Sequence, residues 1–106
     1  MREFLKDIRL DKVIHEKARL LILTILASKT NKKVSFNELK EISELTSGNL
    51  SVQLKNLEKA GYVSISKSFK NNRPWTEVEL TAKGQKALEE YLGEIEKIIK
   101  FHRKEV

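Results

Sequence analysis

Residues 46–63, TSGNLSVQLKNLEKAGYV, set four side chains able to read a polar surface, Asn49, Ser51, Gln53 and Asn56, among three leucines. If Leu50, Leu54 and Leu57 form the buried stripe of a helix, their i, i+4, i+7 spacing turns Gly48, Asn49, Ser51, Val52, Lys55, Asn56 and Lys59 outward. Gln53 falls at the boundary, and Ser47 stands at the helix start. These residue types suit the edges of base pairs. Asn and Gln can bond adenine through two atoms, Ser can donate or accept at a base edge or phosphate, Lys neutralises phosphate, and Val52 could touch a thymine methyl.

No comparable set exists for covalent chemistry. Cysteine is absent, which excludes disulfides, thiolate metal sites and cysteine nucleophiles, and His15 and His102 are too few for a histidine-rich metal site. There is no Gly-rich phosphate loop, no nucleophile with a base at useful spacing and no cofactor fingerprint. Glu89, Glu90, Glu94 and Glu96 read as a solvated helix face. Neither catalysis nor a cofactor nor a metal is expected.

Charge points to a polyanion. The 106 residues carry 21 Lys and Arg against 15 Asp and Glu, a net +6 with a pI near 9.6. Between residues 46 and 76 stand five basic residues, Lys55, Lys59, Lys67, Lys70 and Arg73, against Glu58 alone, whereas residues 77–106 are close to balanced. The positive field is therefore local.

The elements that must hold these residues follow from periodicity. Asp11 can cap a helix running through KVIHEKARLLILTILAS, where Val13, Ile14, Leu20, Leu21, Ile25 and Leu26 recur at helical spacing and Leu23 widens the stripe to that of a central core helix. Val34 could form a short strand. Ser35 and Glu38 make a capping box for a helix with Phe36, Leu39 and Ile42 on its inner face. After a turn at 44–46, Thr46 or Ser47 caps the leucine-striped helix, and Gly61 fits the left-handed position that closes it. YVSISKSF and PWTEVELT then alternate around KNNR, a β-hairpin with a basic tip at Lys70, Asn71, Asn72 and Arg73. Thr81 caps a last helix of roughly 30 to 35 Å, with Leu88, Tyr91, Leu92, Ile95, Ile98 and Ile99 on one side.

The segments VSFNEL, TSGNLSVQLKNLEKAGYVSISKSF and PWTEVELTAKGQKAL resemble MarR/ArsR-like winged-helix transcriptional regulators, in particular the small single-domain branch, over about Asp11 to Tyr91. The resemblance implies a mainly α winged helix-turn-helix with a small β-hairpin wing (α+β) and an extended C-terminal dimerisation helix. It also implies a homodimer on double-stranded DNA, with Asn49, Ser51, Gln53 and Asn56 toward bases and Lys67, Lys70 and Arg73 toward phosphates. Gln53 stands where a histidine is frequent, so no base preference carries over. The metal-sensing branch has Cys/His clusters that this chain lacks.

Three parts are expected: a helical segment over 1–10 associated with the dimer, a DNA-binding domain over 11–81, and a dimerisation helix over 82–106. Leu92, Ile95, Ile98 and Ile99 lie past the reach of the domain's own core, and Phe4, Leu5 and Ile8 form a second unpartnered stripe. Pairing them across a two-fold axis gives a homodimer whose operator is an inverted repeat. The alternative is a winged helix used for protein interaction within a larger assembly, a use that ordinarily loses the clustered charge kept here. The longest nearly apolar run, Leu20 to Ala27, is far short of the ~20 residues of a membrane span, so a cytoplasmic protein is expected.

Overall fold

Ile22, Leu23 and Leu26 are wholly buried on helix α1 (Lys17–Ser28), and the other elements pack around them. A computed structural model describes residues 6–105 of the chain. After α1 come β1 (Lys33–Ser35), α2 (Phe36–Ser43), α3 (Ser47–Lys59), β2 (Val63–Lys70), β3 (Arg73–Leu80) and α4 (Ala82–Glu105). The three strands form an antiparallel sheet in the order β1-β3-β2. Its inner face carries Val34, Val63, Val78 and Leu80 into the core formed by Ile14, Leu39, Leu50, Leu54, Leu57, Leu88 and Tyr91. This is the expected winged helix.

Asp11 caps a turn rather than a continuous helix. Its carboxylate accepts from the N–H groups of Val13 and Ile14 at 2.8 and 3.2 Å, after which Glu16 is extended (φ −154°, ψ 131°). The Glu16 carboxylate then caps α1 by accepting from the Arg19 N–H at 2.9 Å. Two competing caps five residues apart thus divide the segment, and the periodicity alone showed only one helix. The break leaves the Val13 carbonyl free to accept from Arg19 Nε.

The capping box forms by half. Ser35 Oγ accepts from the Glu38 N–H at 3.1 Å, but the Glu38 carboxylate turns to Lys29 Nζ at 2.6 Å instead of reaching back. Leu39 is buried, while Ile42 on the last turn of this eight-residue helix is 47% exposed and does not join the inner face. Thr81 caps α4 as expected, its Oγ1 accepting from the Gly84 N–H at 2.9 Å. Ile95 packs against the core, so the core reaches one turn further along α4 than the spacing indicated. Leu92 and Ile99 are 43% and 42% exposed, and Ile98 is half-buried. Phe4 and Leu5 lie outside the described residues; Ile8 is half-buried.

Candidate nucleic-acid interface

Helix α3 is aimed by closures at both ends. Glu44 in the left-handed region (φ 60°) turns the chain out of α2, and Thr46 Oγ1 then accepts from the Asn49 N–H at 3.1 Å. At the far end Gly61 (φ 83°) donates to the Glu58 carbonyl and Tyr62 to the Leu57 carbonyl, both at 2.9 Å, the two bonds of a Schellman closure. Leu50, Leu54 and Leu57 are 2% exposed or less, which fixes the helix rotation. Ser47, Asn49, Ser51, Val52, Lys55, Asn56 and Lys59 are accordingly exposed.

Gln53 is half-buried and not free. Its Oε1 accepts from Arg19 Nη1 at 2.7 Å and its Nε2 donates to Asn49 Oδ1 at 3.0 Å. Arg19 is the residue that sequence reasoning passed over. It stands in the first turn of α1 beside Lys17, and its partner on α3 lies 34 positions away, so no local spacing marks it. Beside it a cleft of about 400 Å³ is lined by Lys12, Val13, Arg19, Asn56, Lys59 and Ala60. Lys12 and Lys59 extend the basic surface to a second side of α3.

The hairpin ends in a two-residue turn with Asn71 and Asn72 both left-handed (φ 53° and 63°), the geometry whose twist matches paired strands. Lys70 opposes Arg73 across it, and Pro74 opposes Phe69. Lys67, Lys70, Asn71, Asn72 and Arg73 are all exposed. Lys70 Nζ sits 4.6 Å from the centre of the Trp75 ring, which stiffens the tip. Phe69 is 77% exposed beside these charges, since β2 has left the body by that point.

Neither histidine joins the interface. His15 Nδ1 lies 2.8 Å from the Tyr91 hydroxyl, between the Asp11 turn and α4. Among the described residues no group of three His, Cys, Asp or Glu is placed to hold a metal, and no helix is long and apolar enough to cross a membrane.

Residues 18–99, from α1 to the distal part of α4, match the winged helix DNA-binding domain family. The chain belongs to this family. It is 38% identical over 84 residues, 79% of this chain and 89% of the relative, to the uncharacterised protein MJ0432 of Methanocaldococcus jannaschii. Among solved structures it is similar to a transcriptional regulator homologue of Pyrococcus horikoshii, with a TM-score of 0.78 at 28% identity, covering 92% of this chain and 95% of that one. The fold is also that of Sco3205, a MarR family transcriptional regulator of Streptomyces coelicolor solved in complex with DNA (TM-score 0.70, 20% identity, 93% and 66% of the two chains). Winged helix membership and a MarR-like fold point to a DNA-binding regulator.

Proposed function

We propose that the protein is a homodimeric, sequence-specific regulator of transcription that places α3 in the major groove of double-stranded DNA and the hairpin on the flanking backbone or minor groove. The observation that carries this reading is a coincidence of surfaces. The exposed amide, hydroxyl and lysine face of α3 is followed along the chain by an exposed hairpin tip with Lys67, Lys70 and Arg73 and no acidic residue from 67 to 76. Ser47, Asn49, Ser51, Val52, Gln53, Lys55 and Asn56 then serve the groove, and Lys67, Lys70, Asn71, Asn72 and Arg73 the backbone. Residues 11–81 form the DNA-binding part, and 82–106 pair two copies on an inverted repeat. The DNA complex of Sco3205 supports the same use of a similar fold.

Fluorescence anisotropy on a labelled duplex as salt is varied tests the claim. Each phosphate neutralised contributes about −0.9 to the slope of log K against log salt, so Lys55, Lys67, Lys70 and Arg73 together give roughly −3 to −4 per protomer. A slope near zero would remove the electrostatic basis of the proposal. Lys70→Ala and Arg73→Ala are expected to weaken all duplexes alike and to flatten the slope by about 1 each.

A further inference from the structure

A chain of hydrogen bonds crosses from α1 to the outer face of α3, and its polarity is forced. Arginine only donates. The end of the Gln53 amide that lies 2.7 Å from Arg19 Nη1 must therefore be its oxygen, and the nitrogen must be the end that faces Asn49. Because that nitrogen donates, the Asn49 atom 3.0 Å away must be oxygen, which turns Asn49 Nδ2 away from the pair.

Arg19 is itself fixed from behind. Its Nε donates to the Val13 carbonyl, which is free only because the chain breaks before α1, and Glu16 lies 3.9 Å from Nη1. With 17% of its side chain exposed, Arg19 is a packed anchor and no candidate for a base or phosphate contact.

We infer that the Arg19–Gln53–Asn49 relay makes Gln53 and Asn49 presenters of donors, so that at the positions these two residues read the helix selects guanine over adenine. The inference rests on the DNA-binding reading above. Guanine shows two adjacent acceptors, N7 and O6, to the major groove, whereas adenine pairs its N7 acceptor with an N6 donor. Adenine recognition through two atoms needs an amide oxygen as well as a nitrogen. The oxygen of Gln53 is held toward Arg19 and that of Asn49 toward Gln53, each with one further lone pair, so the relay biases both amides against turning oxygen and nitrogen together toward one adenine. The N–H groups outside these two bonds are both hydrogens of Asn49 Nδ2 and the second hydrogen of Gln53 Nε2. Arg19 is then a positioning residue that sets base preference without touching DNA.

The test is selection from a random duplex library with the full chain, followed by competition between guanine and adenine at the enriched positions whose preference Asn49→Ala erases. The native protein is expected to favour guanine by about ten-fold, within the range of a two-atom contact. Arg19→Met should bring that ratio toward one while the affinity and salt slope on random duplex stay as they were, and Arg19→Lys, which can still donate, should restore part of it. A merely structural role would move the thermal midpoint and not the base ratio alone. Should Arg19→Met fail to fold, Gln53→Glu decides. It keeps an acceptor for Arg19 but offers only oxygen to Asn49, so Asn49 must reverse its amide, and preference should move toward bases that present donors, cytosine or adenine. An unchanged guanine ratio in a folded Arg19→Met or in Gln53→Glu overturns the relay, as does adenine preference in the native protein. Binding without any base preference would defeat the relay and leave DNA binding standing. Failure to bind duplex at low salt would instead defeat the reading beneath it.

Discussion

Tyr62 shows how one side chain locks α3 to the rest of the molecule. Its backbone N–H closes α3 on Leu57, its ring lies 5.8 Å beneath Lys83 Nζ of α4, and its hydroxyl donates to Asp11 ahead of α1. Burial, the hydrogen bond to Asp11 and the negative charges of Asp11 and Glu90 push the phenol up to about 12 from its ordinary 10. The folded state thus holds this proton more tightly than the unfolded chain does. The stability it contributes is whole below pH 10 and is lost as pH rises through 12. Following phenolate absorbance in a Tyr91→Phe background isolates Tyr62, and its midpoint should fall toward 10 in Asp11→Asn. A midpoint unmoved by that change would show that the carboxylate is not the partner that matters. The phenol–carboxylate contact spans 51 positions in sequence. No local pattern could have announced it, just as none announced Arg19 and Gln53, which lie 34 apart.

Elements bounded by short-range chemistry were legible, and those set by competition were not. The leucine triplet, the Thr46 and Thr81 caps, the Gly61 closure and the Asn-Asn turn each depend on residues within seven positions of one another. The start of α1 depended on a contest between Asp11 and Glu16, and the exposure of Ile42 on how far α2 stays against its neighbours. Two glycines in α4 make the same distinction quantitative. A Cβ on Gly84 would stand 2.1 Å from the Tyr62 carbonyl oxygen and 2.9 Å from Leu80 Cδ1. Neither the backbone nor a packed leucine gives way cheaply, so Gly84→Ala is expected to destabilise by about 1 to 3 kcal/mol. Gly93 has nothing within 4 Å of the same atom, and alanine there restores ordinary helix propensity, a gain of about 1 kcal/mol. Denaturant melts of the two variants should move in opposite directions. If Gly93→Ala were the more damaging, close packing would not be the reason for Gly84.

At the scale of the molecule, the charge distribution and the order of elements were enough to indicate a DNA-binding winged helix, because both survive without knowledge of contacts. Where the core ends along α4 was not. Ile95 is half-buried against the core, which leaves Leu92 and Ile99 as the most exposed aliphatics of this face. The molecule measures 59 Å along its longest axis against 25 and 24 Å across, and α4 alone spans about 36 Å. A helix of that length with two large aliphatics more than 40% exposed fits a second copy better than solvent. Two copies joined along α4 across a two-fold axis would also hold their α3 helices apart, and about 34 Å is the separation that successive major grooves on one face of DNA require. Light scattering at micromolar concentration should therefore give twice the chain mass of 12.3 kDa. Leu92→Glu combined with Ile99→Glu should return the monomer with its helical circular dichroism intact, since both side chains already reach solvent. Affinity for an inverted repeat should then fall at least ten-fold while binding to a single half-site persists. A native monomer that still held an inverted repeat tightly would leave the exposed face of α4 without this role.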